Sequence, residues 1–143
     1  MNTIDVLNQL LALHGSSLPM YLTSAPPHRQ KGDEKAWEAI RHIVEDQQLM
    51  VDKIAAYIES AGGTPDMGEF SMDFTGMHDL SVDYILQSVL SSQQVDVEAI
   101  EEISGQLPQG SQGKTLAQEA LGAAKAHVQS LEEWLSAAAT TSS

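Results

Sequence analysis

Apolar side chains recur at helical spacing over four long segments of the chain, and the longest segment lies in its first half. There, apolar residues return every three or four positions from Trp37 to Ala61. This spacing places them on one face of an α-helix for about seven turns. A helix of roughly 28 residues would be about 42 Å long, which in a small protein is typical of helix bundles. We therefore predict a second helix over 33–61 and further helices over 3–23, 79–104 and 115–138.

Residues that start or stop helices occur at the ends of these segments. Asp33 suits the N-cap of the second helix, and Gly62-Gly63-Thr64-Pro65 is a strong stop signal at its other end. The stretch Thr115-Leu-Ala-Gln118 has the form of a capping box at the start of the fourth helix. Pro19 lies inside the first apolar pattern, so we expect the first helix to kink or end early there.

Two segments carry no helical pattern, and they indicate how the helices are connected. Residues 25–32 read as a loop between the first two helices. Residues 64–77 read as a crossover that lays three side chains over the bundle: Met67, Phe70 and Phe74. A long crossover allows the second and third helices to run parallel. No strand pattern is present, so we predict a single all-α domain over 1–143, an up-down four-helix bundle with a long crossover between its second and third helices.

The charge balance excludes several partners. The formal net charge is −13, from 20 acidic and 7 basic residues. An acidic surface repels phosphate backbones and anionic lipid, so we expect neither nucleic acid nor a membrane as a partner. There is no cysteine, which excludes thiolate metal sites and disulfides. No apolar run is long enough to span a bilayer and no basic signal start is present, so we expect a soluble, cytoplasmic protein.

Three polar residues fall on the apolar faces of the predicted helices. Gln47 interrupts the stripe of the second helix, and His14 and His127 lie on the stripes of the first and fourth. Buried polar groups need hydrogen-bond partners, so we expect these three side chains to form one hydrogen-bonded cluster inside the bundle. Three other histidines lie on polar faces or in loops, where we expect them to be solvated: His28, His42 and His78.

The order of these features resembles the ferritin-like superfamily, and within it bacterioferritin most closely. In the first helix, Leu7-Asn-Gln-Leu-Leu-Ala-Leu-His14 followed by Tyr21 is similar to the start of that family. In the fourth, His127-Val-Gln-Ser-Leu-Glu132 is similar to the last histidine of the family and the segment after it. The resemblance spans nearly the whole chain, and it implies the bundle connectivity given above.

The resemblance also implies where a di-iron centre would lie. Those families bind two irons with one Glu from each of two helices and a Glu-x-x-His pair from each of the other two. The matched positions here are His14, the pair Gln47 and Met50, and the pair Ala124 and His127. Only His127 is a residue type that the family uses at its position. The ligand set is therefore largely lost.

In the third helix, the residue that matches the Glu of the family is not determined by the resemblance. Gln87, Gln93 and Gln94 are the candidates, and no Glu occurs in that helix before Glu98. The position that matches the haem-binding methionine of bacterioferritin is Gln48, so the resemblance does not imply haem either.

These substitutions lead to a functional hypothesis with open alternatives. We expect a ferritin-like protein without a standard di-iron ferroxidase centre, acting as a binding or structural module rather than an enzyme, with no resident cofactor. The alternative is a storage protein or iron-dependent oxidase with an unusual site, in which His14, Gln47, Met50 and His127 hold a single iron or zinc ion. Asp46 or Asp83 could add a carboxylate to that site. A third alternative is a small-molecule site at the bundle centre, lined by Gln47, Met50 and Ala124.

Self-association is the remaining expectation. Ferritin relatives pair through their first two helices, so the resemblance implies a homodimer or a larger assembly. Trp37, Tyr21 and Tyr57 are candidates for exposed aromatic anchors on those helices.

Overall fold

The computed structural model describes residues 2–24 and 31–141, without the side chains of 77–79 and 138–141. Within these residues the chain forms six helical elements: α1 (Thr3–Gly15), α2 (Leu18–Ser24), α3 (Glu34–Ser60), a 3-10 helix (Met72–Asp79), α4 (Val82–Gly105) and α5 (Gln112–Thr141). The all-α prediction is confirmed for this part of the chain. None of the described helices is both long and apolar enough to cross a bilayer. Residues 25–30 of the predicted first loop, with His28, lie outside the described residues, as does the side chain of His78.

The first predicted helix is two helices, because the chain breaks after Gly15. Ser17 lies at the break, where its Oγ accepts a hydrogen bond from the backbone N–H of Met20 at 3.3 Å and so caps α2. Pro19 is the second residue of α2. A proline is tolerated in the first turn of a helix, because the N–H that it lacks would have no partner inside the helix. The predicted kink or early end is confirmed.

The long second helix is present as α3, and its stop signal acts as predicted. Gly62 has φ +86°, a left-handed conformation that glycine adopts without strain. The Gly62 N–H donates to the carbonyl of Glu59 at 3.0 Å, and the Gly63 N–H donates to that of Ile58 at 2.9 Å. This pair of bonds is a Schellman motif. At the other end Asp33 occupies the N-cap position, but its side chain makes no capping hydrogen bond.

The last two helices begin at serine caps that the sequence reading did not identify. Ser81 Oγ accepts from the N–H of Tyr84 at 3.3 Å, so α4 begins at Val82, after the 3-10 helix and three residues later than predicted. Ser111 Oγ accepts from the N–H of Lys114 at 3.1 Å, so α5 begins at Gln112. Thr115 therefore lies inside the first turn, and the predicted capping box is wrong.

Side-chain contacts fix the direction of α3 against its neighbours. Ser17 meets Gln47, and Asn8 meets Thr64 just after α3, so α1 and α3 run antiparallel. Helices α3 and α5 are also antiparallel, because Asp46 contacts His127 while Lys53, further along α3, contacts the earlier Glu119.

Helix α4 runs antiparallel to α5 and therefore parallel to α3. Glu101, near the end of α4, contacts Lys125 at 3.4 Å, while Leu86 in its first turns shares an apolar cluster with the later Leu131. The predicted parallel arrangement of the second and third helices is confirmed by these contacts.

The crossover between α3 and α4 is tied to α1 and α2. Asn8 of α1 donates from Nδ2 to the carbonyl of Thr64 at 3.1 Å and accepts at Oδ1 from the N–H of Asp66 at 2.8 Å. Phe70 and Phe74 both pack against the ring of Tyr21, with centroids 5.4 and 5.5 Å away. The crossover thus lies over the bundle as predicted, on its α1–α2 side, but it contains a 3-10 helix over Met72–Asp79 where a loop was predicted.

The interior consists of two apolar clusters with a polar layer between them. The first cluster joins α1 to the second half of α3, the second half of α4 and the first half of α5. The second cluster joins α2 to the first halves of α3 and α4 and the second half of α5. Between them lie five buried polar residues, here called the central polar layer: His14, Ser17, Gln47, Gln93 and His127.

Of the three predicted aromatic anchors, Trp37 is buried, so the prediction is wrong for that residue, whereas Tyr21 and Tyr57 are half-buried. Trp37 is 6% exposed and belongs to the second cluster. Tyr21 is covered by the two crossover phenylalanines, and Tyr57 packs against the first cluster. Self-association stays a prediction.

Close packing at the end of α3 generates a testable prediction. A Cβ on Gly63 would lie 2.7 Å from Ile4 Cγ2 and 3.0 Å from Ile58 Cγ2. We expect Gly63→Ala to lower the free energy of unfolding by ~1–3 kcal/mol, the usual range for overpacking. The measurement is urea unfolding followed by circular dichroism. Gly122→Ala is the control, since its Cβ meets no atom within 4 Å and the change should stabilise α5 by about 0.5–1 kcal/mol. Equal stabilities for the two variants would contradict the close contact.

Candidate functional site

The candidate site is the central polar layer, to which α1, α3, α4 and α5 and the start of α2 all contribute. His14 comes from the last turns of α1, Ser17 from the cap of α2, and Gln47 from the middle of α3. Gln93 comes from the middle of α4, and His127 from α5. All five are at most 9% exposed. Because apolar residues fill the core on both sides, polar side chains at this one level need a structural or functional reason.

A small cavity opens inside this layer. It is lined by all four positions that the sequence analysis proposed as metal ligands, namely His14, Gln47, Met50 and His127, and also by Gln93 and Asp96. The space open to the centre of a water molecule is about 10 Å³. That is room for one water or one ion, and it is smaller than a small-molecule site needs. The rest of the lining consists of Asp46 and of apolar side chains: Leu13, Ile100 and three alanines of α5.

Gln47 is held by Ser17, a contact that the sequence analysis missed. Ser17 Oγ donates to Gln47 Oε1 at 2.7 Å, and both residues are 5% exposed. The same hydroxyl caps α2. The break between α1 and α2 is therefore fixed to the middle of α3. Ser17 could have been identified from the sequence as an N-cap, because it precedes Pro19 by two positions. Serine is favoured at N-caps, and proline is favoured in the first turn that follows.

His14 bonds to its own helix. Its Nδ1 lies 2.9 Å from the carbonyl oxygen of Leu10. A carbonyl can only accept, so Nδ1 carries the hydrogen and Nε2 keeps its lone pair in the neutral ring. Burial lowers the pKa of His14 below its ordinary value of 6.5; the bond to Leu10 opposes this shift, and the charge of nearby His127 adds to it. Neutral imidazole is thus the favoured form near pH 7.

His127 bonds across to α3. Its Nε2 lies 2.7 Å from Asp46 Oδ2, and its ring is 11% exposed against 57% for the Asp46 side chain. Since a carboxylate accepts, Nε2 carries the hydrogen and Nδ1 of the neutral ring keeps a lone pair. Asp46, one of the two carboxylates suggested as additions to the site, is mostly exposed and reaches the imidazole from the edge of α3.

No direct hydrogen bond joins His14, Gln47 and His127 to one another among the described contacts, so the predicted cluster is not formed by direct bonds. The three side chains surround one cavity, but each has a separate partner: Leu10, Ser17 and Asp46 respectively. The physical reason is that each side chain has a partner close by outside the predicted cluster: a carbonyl of its own helix for His14, the serine cap of α2 for Gln47, and a carboxylate of α3 for His127.

Of the three glutamines of α4 that the sequence left as candidates, Gln93 is the one that faces the interior. Gln93 is 1% exposed, whereas Gln87 and Gln94 are exposed. The Nε2 of Gln93 has no hydrogen-bond partner within the described part of the chain. Asp96, one turn further on, lines the same cavity, and burial raises the pKa of Asp96 from 3.8 to about 6. Asp96 was not predicted as a site residue, although it follows Gln93 by three positions and so lies on the same helix face.

The site does not contain a conventional carboxylate–histidine metal cluster. Among the described residues, no three His, Asp or Glu side chains are grouped closely enough to hold an ion together. Asp83, an alternative ligand in the sequence analysis, instead lines a separate surface depression with Asp33 and Trp37. Three kinds of neutral donor therefore surround the cavity: imidazole, amide and thioether.

The two buried glutamines generate a matched prediction. Gln47→Leu removes the acceptor of the buried Ser17 hydroxyl, so we expect the free energy of unfolding to fall by ~1–3 kcal/mol. Gln93→Leu removes a buried amide NH₂ group that has no described partner. We therefore expect it to destabilise the protein by at least ~1 kcal/mol less than Gln47→Leu does. Urea unfolding of both variants tests this difference. A larger loss for Gln93→Leu would show that Gln93 has a partner that stabilises the fold.

Asp96 generates a pH-dependent prediction. Because its folded pKa lies above its ordinary value, ionised Asp96 destabilises the fold above about pH 6, and this effect is lost as the pH falls toward 4. We expect Asp96→Asn to stabilise the protein by ~1–3 kcal/mol at pH 8, taking 1.36 kcal/mol per pKa unit and allowing for partial exposure. At pH 4 the difference should nearly disappear.

Chemical unfolding of Asp96→Asn at both pH values is the measurement, with Glu98→Gln as the control. Glu98 lies exposed on the same helix, so its substitution should give no comparable pH-dependent gain. A constant stability difference between pH 4 and pH 8 for Asp96→Asn would argue against burial of the carboxylate.

The comparisons with known proteins do not place the chain in a family. No protein-family model matches it, and neither a curated protein nor a solved structure shows significant similarity. The fold and the central polar layer are therefore the observations on which a functional hypothesis can rest.

Proposed function

We propose that this protein is a ferritin-like four-helix bundle that lacks the di-iron ferroxidase centre and binds one transition-metal ion at its middle. In this reading α1 and α2 together form the first bundle helix, and α3, α4 and α5 form the other three. The parallel course of α3 and α4 and the crossover between them support that connectivity.

The observation that carries the proposal is the shared cavity. The resemblance matches ferritin ligand positions on three predicted helices: His14, the pair Gln47 and Met50, and the pair Ala124 and His127. All five line one cavity between the two apolar clusters. Gln93 occupies the equivalent level of α4 and lines it as well. This shared location supports the proposal.

The chemistry of that place argues against two irons. Two cations of charge two or more, in one buried site, need several anionic ligands to offset their repulsion and their lost hydration. Among the side chains that line the cavity, only Asp46 and Asp96 are acidic. Asp46 is already bonded to His127, so the charge available to a di-iron centre is insufficient. We therefore propose a binding module rather than an iron oxidase.

Binding and oxidation assays test this function together. Metal-stripped protein should take up one transition-metal ion per chain, and aerobic addition of ferrous ion should give no rapid oxidation of two ions per chain. His14→Ala and His127→Ala should each weaken ion binding at least tenfold, because each removes an imidazole from the cavity. His42→Ala is the control, since His42 is exposed on α3 between Glu38 and Glu45. Stoichiometric oxidation of two ferrous ions, or uptake of no ion by the wild type, would refute the proposal.

A further inference from the structure

The two histidines of the cavity are oriented by partners that leave one lone pair on each. The Nδ1 of His14 donates to the Leu10 carbonyl, and the Nε2 of His127 donates to Asp46. Outer hydrogen bonds of this kind fix the tautomer of metal-binding histidines and raise their basicity. His14 Nε2 and His127 Nδ1 are then the ring nitrogens available to a ligand in the cavity.

A third donor lies in the wall of the same cavity. Met50 is 3% exposed and comes from α3, one turn beyond Gln47. A buried methionine is ordinarily packing material, and the Met50 side chain does contact the first apolar cluster. Its thioether is, however, the one sulfur among the described residues that line this cavity, and it shares the wall with both imidazoles.

We infer that the cavity is a site for a single cuprous ion, bound by His14 Nε2, His127 Nδ1 and Met50 Sδ. This inference rests on the proposed function and names its ligand. Thioether is a soft ligand that favours Cu(I), and imidazole is also a suitable ligand for copper. Zinc is also almost always four-coordinate, whereas Cu(I) accepts lower coordination numbers.

Charge favours the same ion. The cost of moving an ion from water into a buried site rises with the square of its charge, so a monovalent ion needs far less compensation than a divalent one. Asp96 lines the cavity and supplies one carboxylate near it, which can balance one positive charge. The side-chain amide of Gln93 can flip by about 180° to present Oε1 to a cation, because its oxygen and its NH₂ group are similar in size.

The decisive variant is Met50→Leu, which conserves volume and removes the sulfur. Metal-stripped protein is titrated with Cu(I) under anaerobic conditions in competition with a colorimetric cuprous chelator. The wild type should bind one Cu(I) per chain, and Met50→Leu should bind it at least tenfold more weakly. The affinity of Met50→Leu for Co(II), a harder ion, should differ less than threefold from that of the wild type.

Met20→Leu is the matched control. Met20 is a buried methionine of the same apolar cluster, but it does not line the cavity, so its substitution should leave the Cu(I) affinity unchanged. X-ray absorption on the copper-loaded wild type provides a second readout, independent of how well any variant folds. The expected spectrum contains one sulfur and two nitrogen ligands.

The outcomes separate this inference from the proposed function. An unchanged Cu(I) affinity in Met50→Leu, or a copper spectrum without sulfur, overturns the cuprous site. If one ion of another metal still binds and depends on both histidines, the proposed function survives that result. If no metal binds to the wild type, both fail.

Discussion

The need to partner polar groups inside the core is the constraint on which this structure depends. Two apolar clusters would otherwise merge into one along the length of the helices, but five buried polar residues separate them. A buried polar group without a partner costs a large fraction of the stability of a small protein, so the contacts of this layer also fix how the helices lie. The Ser17–Gln47 bond sets the break between α1 and α2 against α3, and the Asp46–His127 bond sets α5 against α3.

The same layer determines which chemistry the molecule can support. Its donors are mainly neutral, and its two acids differ in environment: Asp46 is more than half exposed and bonded to His127, while burial raises the pKa of Asp96 to about 6. A site of this kind disfavours high charge and favours a single ion with soft ligands. The net charge of −13 makes the surroundings attractive to cations in general, but the donor atoms of the cavity decide which cation is held.

The crossover has a structural role that complements the central layer. By joining two parallel helices it must pass along the length of the molecule, and it does so over α1 and α2. Asn8 holds its start through two hydrogen bonds, Met67 packs against Gly15, and the two phenylalanines cover Tyr21. Since α1 carries His14 and the cap of α2 carries Ser17, the crossover supports the elements that supply this side of the cavity.

The sequence by itself determined the local features of this protein. Apolar periodicity predicted the helices, and the Gly62-Gly63 stop signal and the proline break were visible, because each depends on residues within a few positions of one another. The buried polar positions His14, Gln47 and His127 were visible too, since each interrupts an apolar stripe on its own helix.

Only the tertiary structure decided which groups meet. In the structure Gln93 lines the cavity together with Asp46 and Asp96, and each histidine has its own hydrogen-bond partner. Trp37, which the sequence had suggested as an exposed anchor, is buried. These choices depend on the rotation and height of each helix relative to the others. Packing between distant segments sets those quantities, and no local pattern along the chain encodes them.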